Sequence, residues 1–184
     1  MKFKYFNIYE FDQKDMPGSG RNMSMVFVEM LDILREGTGF PMVVSSGWRS
    51  PEHNADISTT GLNGPHTTGR AADIRCTDPA TAHTIIKMAM QSGFTGIGLA
   101  SSFIHLDNLT RKEGFSRPAF WTYPNRKGET PQAPIYTSGW LMLEVLKDAL
   151  KDGRNIIINQ HGQHSGRYIK TSEANGCPRI EVGA

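Results

Sequence analysis

The chain has 184 residues, enough for one domain with a real hydrophobic core, which excludes a disulfide-stapled miniprotein and argues against a multidomain enzyme. Hydrophobic residues make up 38% and charged residues 21%, which is neither the signature of a disordered chain nor the apolar excess of a membrane protein. Twenty Lys and Arg against 18 Asp and Glu, with no basic run, give no electrostatic footprint for nucleic acid as the main partner.

The first ten residues carry Lys2 and Lys4 but no apolar signal-peptide core, and no stretch approaches the roughly 18 apolar residues of a membrane span. Synthesis in the cytoplasm, without a membrane partner, is the expectation. Cys76 and Cys177 lie far apart and neither belongs to a CxxC pair, so both are expected as free thiols.

After a turn at Pro17-Gly18-Ser19-Gly20, Val26, Phe27, Met30, Leu31 and Leu34 recur at helical spacing, which predicts an amphipathic helix over Met23 to Arg35. Gly37 and Gly39 end it, and Pro41 to Ser45 reads as a short buried strand. Gly47 to Gly69, dense in Gly, Pro, Ser, Asn and Thr, reads as a long loop of the kind that carries function. Ala71 to Arg75 reads as a strand. A second helix is predicted from Pro79 to Gln91, with Asp78 as its N-cap, and Gly93, Gly96 and Gly98 break it.

Ser102 to Asp107 alternates as a strand does, so Phe103, His105 and Asp107 share one face while Ile104 and Leu106 face the core. Further on, prolines 118, 124, 131 and 134 mark a loop, Trp140 to Lys151 repeats apolar residues helically, and Ile156 to Ile158 suggests one more strand. The last dozen or so residues read as a surface tail.

Six histidines raise the question of which share an ion. His66 and Asp73 bracket Thr67-Thr68-Gly69-Arg70-Ala71-Ala72. Two ligands of one Zn²⁺, each bonded at about 2.0 to 2.2 Å, have donor atoms at most about 4 Å apart. Seven residues of strand span roughly 23 Å and seven of helix about 10.5 Å, so the segment must double back if both residues bind metal. Gly69 supplies the backbone freedom, and Ala71 and Ala72 are small enough to pack a returning strand. His105 would complete a two-histidine, one-carboxylate set with a position open to water, the ligand count of a catalytic zinc site. Taken as a bare pair, His66 and Asp73 read as a loop histidine and a strand-end aspartate with no shared role, and it is the wider pattern that sets them apart.

The wider pattern is Ser45-Ser46-Gly47-Trp48-Arg49-Ser50-Pro51-Glu52-His53-Asn54, then His66-Thr67-Thr68-Gly69-Arg70-Ala71-Ala72-Asp73-Ile74, then Gly96-Ile97-Gly98 and Phe103-Ile104-His105-Leu106-Asp107. In order and spacing it resembles the M15 metallopeptidases, over roughly residues 5 to 121 including Ala119-Phe120-Trp121. That family includes zinc D-Ala-D-Ala carboxypeptidases and wall-degrading phage and bacterial enzymes, with a fold shared by the Hedgehog signalling domain.

The resemblance implies an α+β, Hedgehog/DD-peptidase-like fold: a small, mainly antiparallel sheet with packed helices and a zinc site on one face. It places a peptidase core at residues 1–121 and a C-terminal extension, packed on the same domain, at 122–184. It implies one Zn²⁺ per chain held by His66, Asp73 and His105, with Arg49 holding the substrate carbonyl or its developing oxyanion. The implied activity is hydrolysis of peptidoglycan stem peptides or crosslinks, as a carboxypeptidase or an endolysin-type endopeptidase. Access to the wall would then come by phage-type release or as a virion component.

One departure matters. Several branches of the family carry an acidic general base a few residues before the third ligand, and Leu99-Ala100-Ser101-Ser102 contains no acid. Asp107, on the same strand face as His105, is the nearest carboxylate, and the expectation favours it as catalytic base over a role in orienting a histidine.

Other residues read more plainly. His53 reads as a loop residue, His83 as a helix residue, and His161 and His164 as a pair in a glycine-rich loop. Trp48, Trp121 and Tyr123 are candidates to line a groove, with core packing equally open to the tryptophans. Two rival functions remain. His105-Leu106-Asp107 with a later histidine also fits a non-haem Fe(II) oxygenase, although that leaves His66, Gly69 and Asp73 without a purpose. The missing upstream acid also fits a non-catalytic, zinc-stabilised wall-binding or virion component.

Overall fold

A computed structural model describes residues 3–123 and the backbone of three later strands. Helix α1 is Met25–Thr38, α2 is Pro51–Ile57 and α3 is Pro79–Gln91. The strands are β1 Val43–Ser46, β2 Ala71–Arg75, β3 Gly96–Leu99, β4 Phe103–Asp107, β5 Ala119–Thr122, β6 Asn155–Ile158, β7 Arg167–Ala174 and β8 Cys177–Val182. The sheet runs in the order β1-β2-β4-β3-β5-β6-β7-β8. Neighbours pair antiparallel except β3 with β5 and β5 with β6, so the fold is α+β with a mainly antiparallel sheet.

Alternation along the strands gives the sheet two unlike faces. Ala72 and Ile74 of β2, Ile97 and Leu99 of β3, Ile104 and Leu106 of β4 and Phe120 of β5 join one buried core with Phe27, Leu31 and Leu34 of α1 and Ile85, Ile86 and Ala89 of α3. Phe27 and Phe94 meet edge-on there, with centroids 5.9 Å apart. The opposite face carries a row across four strands, set by register: Asp73 opposite His105, His105 opposite Gly98, and Gly98 opposite Trp121. The next row holds Ala71, Asp107, Gly96 and Ala119.

The strand Ala71–Arg75 and the helix Pro79–Gln91 lie where the sequence places them, and Asp78 caps the helix by accepting the Thr81 N–H at 2.7 Å. Elsewhere the structure differs. In α1 the buried residues are Phe27, Val28, Leu31 and Leu34, whereas Val26 is 64% exposed, because the helix turns Val28 rather than Val26 toward the sheet. β1 is an edge strand with Val43 exposed, not a buried one.

The loop expected from Gly47 to Gly69 contains α2, started by Ser50 as N-cap and Pro51 in the first turn, and two 3-10 turns. Gly96 and Gly98, expected as helix breakers, lie inside β3. Residues expected as a surface tail form β8, whose backbone pairs with β7. The helix expected over Trp140 to Lys151, together with His161 and His164, lies outside the described residues. No helix among the described residues is long and apolar enough to cross a membrane.

Candidate metal centre

His66 stands on the 3-10 turn Pro65–Thr68, which closes at Gly69 with φ 69°. Glycine is required there twice. The backbone is left-handed, and a Cβ would run into the Asn22 carbonyl. The turn reverses the chain so that β2 begins at Ala71 and carries Asp73 back beside His66, the doubling back that the spacing demands. His105 arrives opposite Asp73 on β4.

The three side chains converge. His66 Nε2 lies 3.2 Å from Asp73 Oδ1 and 3.2 Å from His105 Nδ1, and His105 Nδ1 lies 2.9 Å from Asp73 Oδ1. All three residues are buried. Two atoms bound to one tetrahedral ion at about 2.0 to 2.1 Å are about 3.4 Å apart, so this triangle suits a shared ion.

The remaining ring nitrogens fix what faces inward. His66 Nδ1–H donates to the Gly47 carbonyl at 2.7 Å, which leaves the Nε2 lone pair pointing at the cluster. His105 Nε2–H donates to Asp107 Oδ2 at 3.1 Å, which leaves the Nδ1 lone pair pointing the same way. With Asp73 Oδ1, three acceptors then face one another with no donor among them. That arrangement calls for a cation, and His, His and Asp form a donor set for a catalytic divalent metal.

With no ion counted, the electrostatics favour a proton on His105 Nδ1 in the place the cation would take. Burial holds the His66 imidazole below its usual pKa range, against the pull of Asp73. Burial also opposes the charged form of His105, but its bonds to Asp107 and Asp73 outweigh that and raise its pKa. Asp73 is pushed up by burial and held below the ordinary carboxylate range by His66 and His105.

Arg49 flanks the centre on the other side of Asp73. Its Nη2 donates to Asp73 Oδ2 at 2.7 Å and its Nε to Ser46 Oγ at 2.9 Å, while Nη1 makes only a long contact of 3.5 Å to Asn54 Oδ1. Asp107 is fully buried behind the His105 ring. Its carboxylate accepts from His105 Nε2, from Arg117 Nε at 2.9 Å and Nη2 at 2.6 Å, and from the Leu109 N–H at 3.2 Å. Burial would raise its pKa, but His105 and Arg117 bring it down to about 2. The expectation that Asp107 serves as catalytic base does not suit this position: the ring of His105 separates it from the inward-facing atoms, and its oxygens are already engaged.

The row ends in aromatic side chains. Trp121 lies 5.2 Å from His105, Tyr123 lies 6.2 Å from Trp121, and Phe103 lies 5.2 Å from Tyr123, all between ring centroids. Gly98 makes room for them, since a Cβ there would stand 2.6 Å from the Trp121 ring. Trp48, by contrast, packs against the core. His53 lies on α2 and His83 on α3, and neither belongs to the cluster.

Sequence reasoning missed four contributors. Gly47 and Ser46 act through a carbonyl and a hydroxyl that only the fold brings near His66 and Arg49. Asn54, fully buried, ties Thr60 and Gly61 to the Arg49 side. Arg117 lies in a stretch with no motif. Ser50-Pro51, an N-cap followed by proline, was the one available signal, since it announces the helix that carries Asn54.

No curated protein and no solved structure matches the chain. The family model described as Peptidase M15 matches residues 4–107, a span that holds Arg49, all three converging side chains and Asp107. That span is more than half of the chain, and its convergent His66, Asp73 and His105 suit a metal-dependent enzyme, so the protein belongs to the Peptidase M15 family of metallopeptidases.

Proposed function

We propose that the protein is a zinc-dependent peptidase, with one ion per chain, that hydrolyses peptide bonds in peptidoglycan stem peptides or crosslinks. The observation that carries this reading is the inward-facing set of His66 Nε2, Asp73 Oδ1 and His105 Nδ1, three acceptors with no donor between them. These residues would hold the ion. When bound, zinc supplies a water of pKa about 7 and polarises a carbonyl.

The chain's own groups do the rest. Asp107 and the Gly47 carbonyl fix the tautomers of His105 and His66. Arg49 holds Asp73 with one nitrogen and Ser46 with another, which leaves Nη1, in long contact with Asn54, as the donor most available to a substrate oxygen. A donor aimed at a developing oxyanion contributes on the order of 10² to 10³ in rate in other enzymes. Trp121 and Tyr123 offer apolar faces beside His105 against which a peptide can lie.

A second reading draws on one observation. Asp107 is committed to His105 and Arg117, and residues 99 to 102 contain no acid, which favours a zinc-stabilised wall-binding module in which no bond is cut. One experiment decides between them: purified protein is incubated with peptidoglycan, with and without a chelator, and new amino termini are counted by amine labelling. The peptidase reading expects new termini only without chelator. Zinc at one equivalent with the protein sedimenting on the wall, but no new termini, establishes the binding module instead.

A further inference from the structure

Asp107 presents the protein with a problem. A carboxylate with no exposed surface, set against a histidine ring, is costly unless its charge is compensated and its lone pairs are filled. The compensation comes from Arg117, ten positions further along the chain and just before β5. Arg117 reaches both oxygens: Nε stands 2.9 Å from Oδ1 and 3.1 Å from Oδ2, and Nη2 stands 2.6 Å from Oδ2. The fork is itself held. Its guanidinium lies 4.8 Å over the Trp121 ring and 5.6 Å from the Phe115 ring, and Nη1 donates to the Ser116 carbonyl at 3.3 Å.

Gly96 supplies the floor. It sits opposite Asp107 in the β3–β4 register, and a Cβ there would overlap both the Asp107 carboxylate and Arg117 Nε. The same row of the sheet has therefore been kept clear for this pair.

We propose that Arg117 is a positioning residue for the metal centre, acting through Asp107 to hold the His105 ring so that Nδ1 faces the cluster. The proposal rests on His105 being a metal ligand, as in the function proposed above. Arg117 touches neither the cluster nor, on this account, the substrate. It fixes the carboxylate, the carboxylate fixes Nε2–H, and the ring has one orientation. Removing groups that hold a ligating histidine in other sites typically costs 10- to 100-fold in metal affinity.

The test measures metal affinity, which does not depend on any cleavage assay. Wild type, Arg117→Gln, Arg117→Lys, Asp107→Asn and the Arg117→Gln/Asp107→Asn pair are titrated with zinc against a chromophoric chelator. Each is also loaded with Co²⁺ for its visible absorption. Arg117→Gln is expected to bind zinc about 10-fold more weakly and to shift the Co²⁺ bands. Arg117→Lys, which keeps the charge but not the fork, is expected to fall between. The double variant is expected to bind no more weakly than Asp107→Asn alone, because the arginine acts only through the carboxylate. Wild-type zinc affinity and an unchanged Co²⁺ spectrum in Arg117→Gln would overturn the proposal, as would additive losses in the double variant. If Arg117→Gln fails to fold, Arg117→Lys against Asp107→Asn/Arg117→Lys gives the same comparison. Wild type that binds no metal overturns the functional reading and this one together, whereas metal-replete wild type with an indifferent arginine overturns this one alone.

Discussion

Asp107 Oδ2 stands 3.1 Å from Nε2 of His105, on the opposite side of the imidazole from Nδ1, the atom that lies 2.9 Å from Asp73. A carboxylate so placed grips the ligand from behind. Asp107→Asn keeps an oxygen to accept the Nε2 proton but loses the charge and half of the Arg117 fork. Zinc affinity, read by chelator competition, is expected to fall by about 10- to 100-fold, with activity recovering at high zinc. A general base would give the reverse: wild-type affinity, with turnover lost at every zinc concentration.

Gly98 is the place where the sheet admits Trp121 beside His105. A methyl group there would meet the indole at 2.6 Å and the Tyr123 ring at 2.7 Å, and both rings are held among neighbours. Gly98→Ala is therefore expected to destabilise the protein by about 1 to 3 kcal/mol, the usual range for overpacking. Urea unfolding measures the loss and tryptophan emission reports the displaced ring. Wild-type stability with unshifted emission would mean that the aromatic wall moves aside freely.

The parts of this architecture that were legible in the sequence are those in which one local pattern decides the outcome. Phe103 to Asp107 alternates, so the face bearing His105 could be read without neighbours, and Asp78-Pro79 announces α3 by cap and first turn alone. His66 and Asp73 could be paired because seven positions and a glycine imply a reversal. Gly96 and Gly98 read only as the end of a helix, and their place in β3 is not legible locally, because there the missing side chains make room for Arg117 and Trp121 coming from β5 and its approach. Val26 and Val28 fit the helical period almost equally well, and only packing on the sheet chose between them. Arg117 had no signal at all, since nothing in its own stretch records the carboxylate it serves.

Without the cation the three inward acceptors must take up a proton or repel one another, and a single proton holds two of them where the ion holds three, so removing metal should loosen the fold around Gly69 and β2. Zinc present at about 100 times its Kd would stabilise the protein by about 2.7 kcal/mol, a gain that chelation removes. Thermal unfolding is expected to show this shift in wild type and none in His66→Ala, whose Tm should be the same with zinc or with chelator. A zinc-dependent shift that survives in His66→Ala would mean that the ion binds elsewhere.

The stretch that follows β4 is latched by an acid-sensitive contact away from the metal centre. Glu113 Oε1 accepts from Arg70 Nη1 at 2.7 Å, and Oε2 accepts from the Thr110 N–H at 2.7 Å and from the Thr110 hydroxyl. Arg70 in turn donates to the Asn108 side-chain oxygen at 2.9 Å and to its carbonyl. Thr110 first, and Arg70 after it, lower the Glu113 pKa to about 2, from an unfolded value near 4.5. A depressed carboxylate contributes stability that is complete above the unfolded value and is lost as pH falls toward the folded one. Glu113→Gln, uncharged throughout, is thus expected to be less stable than wild type at pH 7, with the gap closing between about pH 5 and pH 2. The Arg70 and Glu113 side chains are 29% and 38% exposed, so salt should shrink the part of the gap due to arginine and spare the part due to Thr110. Urea midpoints at a series of pH values, with and without added salt, check both expectations, and a gap constant from pH 7 to pH 2 would show that Glu113 contributes by shape rather than by charge.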